Sequence, residues 1–170
     1  NLKWGIVPSW AKKKDFKPLI NARLETIDEK VSFKKLIKLQ RCVAVADGFY
    51  EWKRIEKEKT PYYFLREDKK LIYIAGIYEE DQFCMITEEA SSNITEIHHR
   101  QPVILNESDV NKYLNIEISG SNYLKQSQKS KLSFYEISKD VNKPTNNNIS
   151  LIQPIYCLLY TSPSPRDGTK

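Results

Sequence analysis

Two histidines and three cysteines are all that 170 residues offer of the commonest transition-metal ligands. The histidines, His98 and His99, are adjacent. Neighbours in an extended segment point to opposite faces, so they are poor joint ligands for one ion. No Cys or Asp stands at a spacing that would complete a site. Neither a metal nor any other cofactor is therefore expected. The cysteines, Cys42, Cys84 and Cys157, are odd in number and show no CxxC spacing. This argues against a disulfide framework and against a zinc knuckle. Cys42 and Cys84 lie in apolar, strand-like runs and read as packing residues. No apolar run approaches the ~18 residues of a membrane span, so no membrane partner is expected. The chain opens on Asn1, so the absence of a leader is uninformative.

Hydrophobic residues make up 40% of the chain and charged residues 29%, the balance of a soluble globular domain. The length suits one domain with a proper core. Lys and Arg number 27 against 22 Asp and Glu, for a net charge of +5. That excess permits a polyanionic partner without requiring one. Lys12-Lys13-Lys14 follows Trp10, and Lys53-Arg54 follows Trp52. Taken alone, each cluster reads equally well as a solvated face.

Residues 17–26 read as an extended segment leading into a helix. Thr26 and Glu29 have capping-box spacing, and Phe33, Leu36, Ile37 and Gln40 follow at i, i+3, i+4 and i+7. Short β runs come next: Cys42–Ala46, Phe49–Arg54, Tyr62–Arg66, Leu71–Tyr78 and Phe83–Thr87. Their close spacing favours antiparallel pairing. A second helix is predicted after Asn106, with Val110, Tyr113 and Leu114 as its apolar stripe. A short polar helix over 122–129 and a strand over Phe134–Ser138 complete the pattern. From about Tyr156 the composition is that of a disordered tail, foreign to the domain.

Few residues here invite chemistry. Period two puts Phe49 and Glu51 on one face of a strand and Tyr50 and Trp52 on the other. A carboxylate beside large aromatics loses hydration, which suits proton transfer; a solvent-facing edge Glu is the plainer reading of the spacing alone. Asn21 can both donate and accept hydrogen bonds, and Arg23 could grip a phosphate in a bidentate manner. A turn Asn and a surface Arg explain that block equally. Trp4 reads as core. Trp10, beside the lysine run, could stack on an unpaired base.

Four blocks in order resemble the SRAP family (SOS-response-associated peptidases). They are Trp4-Gly5-Ile6-Val7-Pro8-Ser9-Trp10, Asn21-Ala22-Arg23, Asp47-Gly48-Phe49-Tyr50-Glu51-Trp52 and Ile97-His98-His99-Arg100-Gln101-Pro102-Val103-Ile104-Leu105. The resemblance implies an α+β fold with a mainly antiparallel, barrel-like sheet core and a few peripheral helices. It covers residues 1–155, as an SRAP domain without its first segment, with 156–170 as the tail. It implies capture of abasic sites in single-stranded DNA by a cysteine that follows the initiator Met. That cysteine's amine forms a Schiff base with the sugar aldehyde, and its thiol closes a thiazolidine ring. Self-processing peptidase and lyase activities belong to the same pattern.

Carried onto this sequence, Asn21 would orient the amine or sugar, Glu51 would shuttle protons and His98 would help open the sugar ring. Trp10, Arg23, Arg100, Lys12 and Lys13 would grip the strand. The family often carries an acidic residue where His99 stands and Met where Gln101 stands. Because Asn1 lies inside the family pattern, the reactive cysteine is expected upstream of it, and a protein starting at Asn1 is expected to form no thiazolidine. A monomer is expected, located inside the cell: cytoplasmic in a bacterium, nuclear in a eukaryote. Two other readings compete. A peptidase using Glu51 and His98 would cleave peptides in trans. A non-catalytic DNA-binding module would be indifferent to replacement of either residue.

Overall fold

The computed structural model describes residues 1–11 and 15–155. Lys12, Lys13, Cys157 and the tail from Tyr156 lie outside the described residues. Each predicted β run is found, four of them lengthened by a residue or more and Leu71–Tyr78 shifted by one residue. They form β3 (Arg41–Ala46), β4 (Phe49–Ile55), β5 (Glu58–Arg66), β6 (Ile72–Glu79) and β7 (Gln82–Glu89). Short strands β1 (Lys3–Trp4), β2 (Asn21–Arg23), β8 (Arg100–Pro102) and β9 (Ile104–Leu105) join the larger sheet, and β10 (Leu132–Glu136) the smaller.

The larger sheet has seven strands on the path β1-β7-β6-β3, with β2 and β8 paired to β7 and β9 paired to β6. The smaller sheet runs β10-β5-β4. Only β1 and β2 run parallel to their neighbour, β7. The α+β class and the mainly antiparallel pairing follow the sequence. The sheets stay open as two layers and do not close into a barrel.

One sequence step transfers the chain between layers. Asp47-Gly48 carries it from β3, an edge of the larger sheet, to β4, an edge of the smaller. A Cβ at Gly48 would sit 2.3 Å from the Phe64 carbonyl oxygen and 2.5 Å from the Tyr63 ring, so only glycine fits. β6 is buried on both faces. Ile72 and Ile74 meet Phe64, Ile94, Ile97 and Leu132 between the sheets. Ala75 and Ile77 meet Ile37, Tyr113 and Leu124 beneath the helices.

Those helices are α1 (Leu36–Leu39), α2 (Glu107–Leu114) and α3 (Gly120–Gln126). The helix expected after Thr26 is reduced to hydrogen-bonded turns and the four residues of α1. Its apolar face survives, with Phe33, Leu36 and Ile37 buried. A stretch this short, carrying Val31 and Ser32, has little intrinsic helicity, and packing needs only that face. In α2, Tyr113 is buried while Leu114 is 39% exposed, so the expected stripe is narrower by one residue. Buried Arg41 ties α1 to α2: Nη1 donates to the Tyr113 carbonyl at 2.7 Å and Nη2 to that of Lys38 at 3.3 Å. Trp4 is not core. It is 54% exposed on a two-residue edge strand, its indole N–H donating to the Ile20 carbonyl at 2.9 Å.

Candidate active site at the free edge of the smaller sheet

β4 is a sheet edge, and its two faces are used differently. On the inner face Phe49 stacks on Phe64, ring centroids 5.0 Å apart, and Glu51 follows on the same side. On the outer face Tyr50 and Trp52 lie 6.5 Å apart. The Trp52 amide N–H donates to Glu51 Oε1 at 3.0 Å. It therefore points away from β5, towards the free edge.

His98 comes from the turn segment between β7 and β8. Ile94 and Ile97 are buried and anchor that segment, and the His98 amide donates to the Ile94 carbonyl at 3.1 Å. His98 Nδ1 lies 2.9 Å from the Arg100 carbonyl oxygen and 3.2 Å from the Arg100 amide nitrogen. One nitrogen cannot serve both well. The shorter contact fits Nδ1–H as donor to the carbonyl. Glu51 Oε2 stands 3.8 Å from Nδ1, beyond hydrogen-bond range. The two side chains thus face each other across a gap, each held by a backbone partner.

Both line a cleft of about 1010 Å³ with Trp52, Arg54, Lys59 and Asn142. The Trp52 indole N–H donates to Asn142 Oδ1 at 2.8 Å, joining the cleft wall to the segment after β10. His99 is exposed, its ring 4.6 Å from that of His98. Gln101 is buried, its Oε1 accepting the Ser91 amide at 2.9 Å.

The remaining sequence-derived residues are dispersed. Asn21 and Arg23 are exposed on β2 with Ala22 buried between them. Asn21 is in register with Met85, which packs against the inter-sheet core. Neither Asn21 nor Arg23 lines the Glu51–His98 cleft. Trp10 is 54% exposed and meets Phe16 edge-on at 5.6 Å, also away from the cleft lining. Arg100 has little capacity left for a phosphate. Nη1 and Nη2 bind the two oxygens of Glu25 at 2.9 and 3.0 Å, and Nη2 also donates to the Thr87 carbonyl at 2.8 Å. Sequence reading missed Asn142, Lys59 and Glu25. Asn142 and Glu25 have partners far along the chain, Lys59 lines the cleft and stands opposite Arg54 in the ladder, and no local pattern marks any of the three.

The Glu25–Arg100 pair has a pH consequence. The hydrogen bond from Arg100 holds the Glu25 carboxyl below its ordinary value. Its contribution to stability is fully present above the unfolded-state value of ~4.3 and is lost as pH falls through the lower folded value. Acid unfolding of Glu25→Gln should therefore begin from a lower stability at pH 6 and show a shallower loss below pH ~4.5. Parallel acid-unfolding curves for the two proteins would contradict this.

Cys42 and Cys84 are packing residues, as expected. Burial pushes their thiols up to about 11 and about 12. At pH 8 the thiolate fraction of Cys42 is then on the order of a thousandth. Iodoacetamide at pH 8 should label neither in the native protein within the time that labels both in denaturant. Rapid native labelling would show the buried setting to be wrong.

Among the described residues, no group of three or more His, Cys, Asp or Glu side chains is placed to hold a metal ion, and no helix is long and apolar enough to cross a membrane. The description SOS response associated peptidase (SRAP) matches residues 1–144. The chain is 35% identical to the abasic site processing protein YoqW of Bacillus subtilis, covering 89% of this chain and 75% of that one. It is 31% identical to YedK of Escherichia coli, also called an abasic site processing protein, over 89% and 73%. A crystal structure of a Bacteroides thetaiotaomicron protein superposes with a TM-score of 0.77 at 28% identity, covering 90% of this chain and 75% of the other. A family match over most of the residues and relatives this similar over most of both lengths lead to one conclusion: the chain belongs to the SRAP family.

Proposed function

We propose that this domain captures the aldehyde of an abasic site in single-stranded DNA as a covalent adduct. The observation that carries the reading is the facing pair Glu51 and His98, 3.8 Å apart in the wall of a cleft. Opening the abasic sugar needs a proton taken from the anomeric hydroxyl and one given to the ring oxygen. A carboxylate and an imidazole at this spacing can do both. The abasic-site designation of relatives at 31–35% identity supports the substrate.

The amine, in this reading, belongs to the cysteine that the family pattern carries ahead of Asn1. An α-amine titrates near ~8, so a useful fraction is neutral at physiological pH. Its lone pair adds to the aldehyde carbon, and Glu51 relays a nitrogen proton to the oxygen, giving a carbinolamine. Protonation of the hydroxyl expels water and leaves an iminium. The thiol sulfur then closes a five-membered ring on that carbon, and its proton leaves to the medium. Asn21 orients the amine or the sugar. Arg23, Trp10, Lys12 and Lys13 bind the strand with salt-dependent affinity. Arg100, engaged by Glu25 and Thr87, holds the segment that carries His98.

The test uses the full-length, cysteine-initiated protein with a single-stranded oligonucleotide carrying one abasic site, resolved on a denaturing gel. A heat-stable shifted band, lost when the cysteine becomes alanine, supports the reading. No band from folded protein sinks it. A second reading, a hydrolase acting on extended peptides, is favoured by the free edge of β4, whose Trp52 amide faces away from β5. An added peptide strand could pair there. That reading expects peptide cleavage in trans and no DNA adduct.

A further inference from the structure

The β4–β5 hairpin sets two cations opposite one another. Arg54 and Lys59 are register partners in the ladder, two pairs along from Trp52 and Pro61. Alternation puts Trp52, Arg54, Lys59 and Pro61 on one face of the hairpin. Like charges directly opposite on a sheet are destabilising, and a neighbouring carboxylate is the ordinary remedy. Here that remedy is missing. Among the described residues no acidic side chain pairs with Arg54 or Lys59. Glu58, the acid on β5, stands opposite Ile55 and so belongs to the other face. The two acids that line the cleft are engaged elsewhere: Glu96 faces Lys53 at 4.0 Å, and Glu51 faces His98 at 3.8 Å.

This opposed pair stands in the wall of the Glu51–His98 cleft, with Trp52 beside it. Alternate residues of a strand lie about 7 Å apart, comparable to the distance from a base to the phosphate of its own nucleotide. The Trp52 ring is held in place, its indole N–H taken by Asn142 Oδ1 at 2.8 Å and Tyr50 flanking it at 6.5 Å. An aromatic ring next to cations is the pattern of single-strand sites, where bases stack on rings and cations take the backbone. The cleft, at about 1010 Å³, lies at the upper end of small-molecule sites and exceeds the needs of one sugar.

We propose that Trp52, Arg54 and Lys59 form a subsite for the nucleotide next to the abasic sugar. Arg54 and Lys59 hold its phosphate between them, and Trp52 stacks on its base. The subsite rests on the single-strand part of the reading above and places part of the strand on the hairpin. It also gives the opposed charges a reason, because a bound phosphate removes their repulsion.

The test is fluorescence anisotropy of the full-length protein with a labelled single strand carrying one tetrahydrofuran analogue of the abasic sugar. The analogue has no anomeric hydroxyl, so no adduct forms and binding alone is read. Arg54→Gln combined with Lys59→Gln should weaken binding about tenfold at low salt. It should also lower the slope of log affinity against log salt by about 0.7, the share of one phosphate on a single strand. Trp52→Leu should weaken binding about tenfold with the slope unchanged. Lys34→Gln combined with Lys35→Gln removes the same charge from exposed positions outside the cleft and should leave the slope as it is. The Tm of the Arg54/Lys59 variant should hold or rise by about 1–2 °C, since a repulsive pair is gone. An unchanged slope in that variant, or an equal fall in the lysine control, would overturn the proposal. The denaturing-gel assay on a true abasic strand separates the two readings. An adduct with an unchanged slope sinks the subsite alone, and a lowered slope without an adduct sinks the capture reading alone.

Discussion

Glu51→Gln, in the full-length cysteine-initiated protein, should slow abasic-site adduct formation by about 10²–10³-fold, the usual worth of a positioned acid–base group. The substitution is nearly silent for the fold. Oε1 of a glutamine can still accept the Trp52 amide, as Glu51 Oε1 does at 3.0 Å. The side chain keeps its volume on the Phe49 side of β4. What is lost is the capacity to take and return a proton opposite His98, 3.8 Å away. Single-strand affinity, measured by fluorescence anisotropy, should stay within about twofold, because contacts made equally before and during the reaction do not set the rate. His98→Ala should slow the reaction comparably if both groups act in ring opening, and the double variant should lose less than the product of the two, since the groups act as a unit. An unchanged rate for Glu51→Gln would remove Glu51 from the chemistry and leave the cleft as a binding surface.

Gly48→Ala should cost the most stability of any glycine-to-alanine change in the described fold. The added carbon would lie 2.3 Å from the Phe64 carbonyl oxygen and 2.5 to 2.6 Å from the Tyr63 ring and hydroxyl. Phe64 is fully buried in the middle strand of the smaller sheet, so its backbone cannot retreat cheaply. The cost should reach about 3 kcal/mol, the upper part of the overpacking range, or roughly 6–12 °C in Tm for a domain of this size. Gly76→Ala is the control. Its added carbon meets the Cys84 carbonyl and Cys42 Sγ at 3.0 and 3.1 Å, so the loss should be smaller. Denaturant midpoints for the two variants, with unchanged slopes, decide the order. A smaller loss at Gly48 than at Gly76 would mean that the layer crossing adjusts freely. Glu51 lies three residues beyond Gly48, on β4. The Gly48 variant should therefore also react more slowly, with no change of chemistry at the site.

Much of the candidate site's local geometry is legible in the sequence, and the reasons are local. Alternation along Phe49-Tyr50-Glu51-Trp52 gave the correct faces, because a strand permits nothing else. The gap between the predicted runs Cys42–Ala46 and Phe49–Arg54 falls at Asp47-Gly48, where β3 ends and β4 begins. Tertiary context reversed other expectations. Trp4 reads as core by composition, yet the two-residue strand that bears it is a sheet edge and leaves it exposed. The helix after Thr26 had a sound apolar period. Burial of one face was all that the core required, and the chain settled it with turns and four helical residues. Arg100 looked available for phosphate, but a carboxylate far upstream, Glu25, already occupies its fork.

The sequence by itself determined the strands, the order of the blocks, the absence of metal-ligand spacing and which residues, Glu51 and His98 among them, are candidates for the site. These depend on side-chain type and on period, which are properties of a few consecutive residues. Only the tertiary structure decided which of those residues meet. Glu51 and His98 come together because Ile94 and Ile97 bury themselves between the sheets and carry their segment to the β4 edge. Asn142 reaches Trp52, and Lys129 reaches Glu88, by the same kind of long-range packing. Such contacts are set by how two hydrophobic layers close on one another, and no local pattern encodes them.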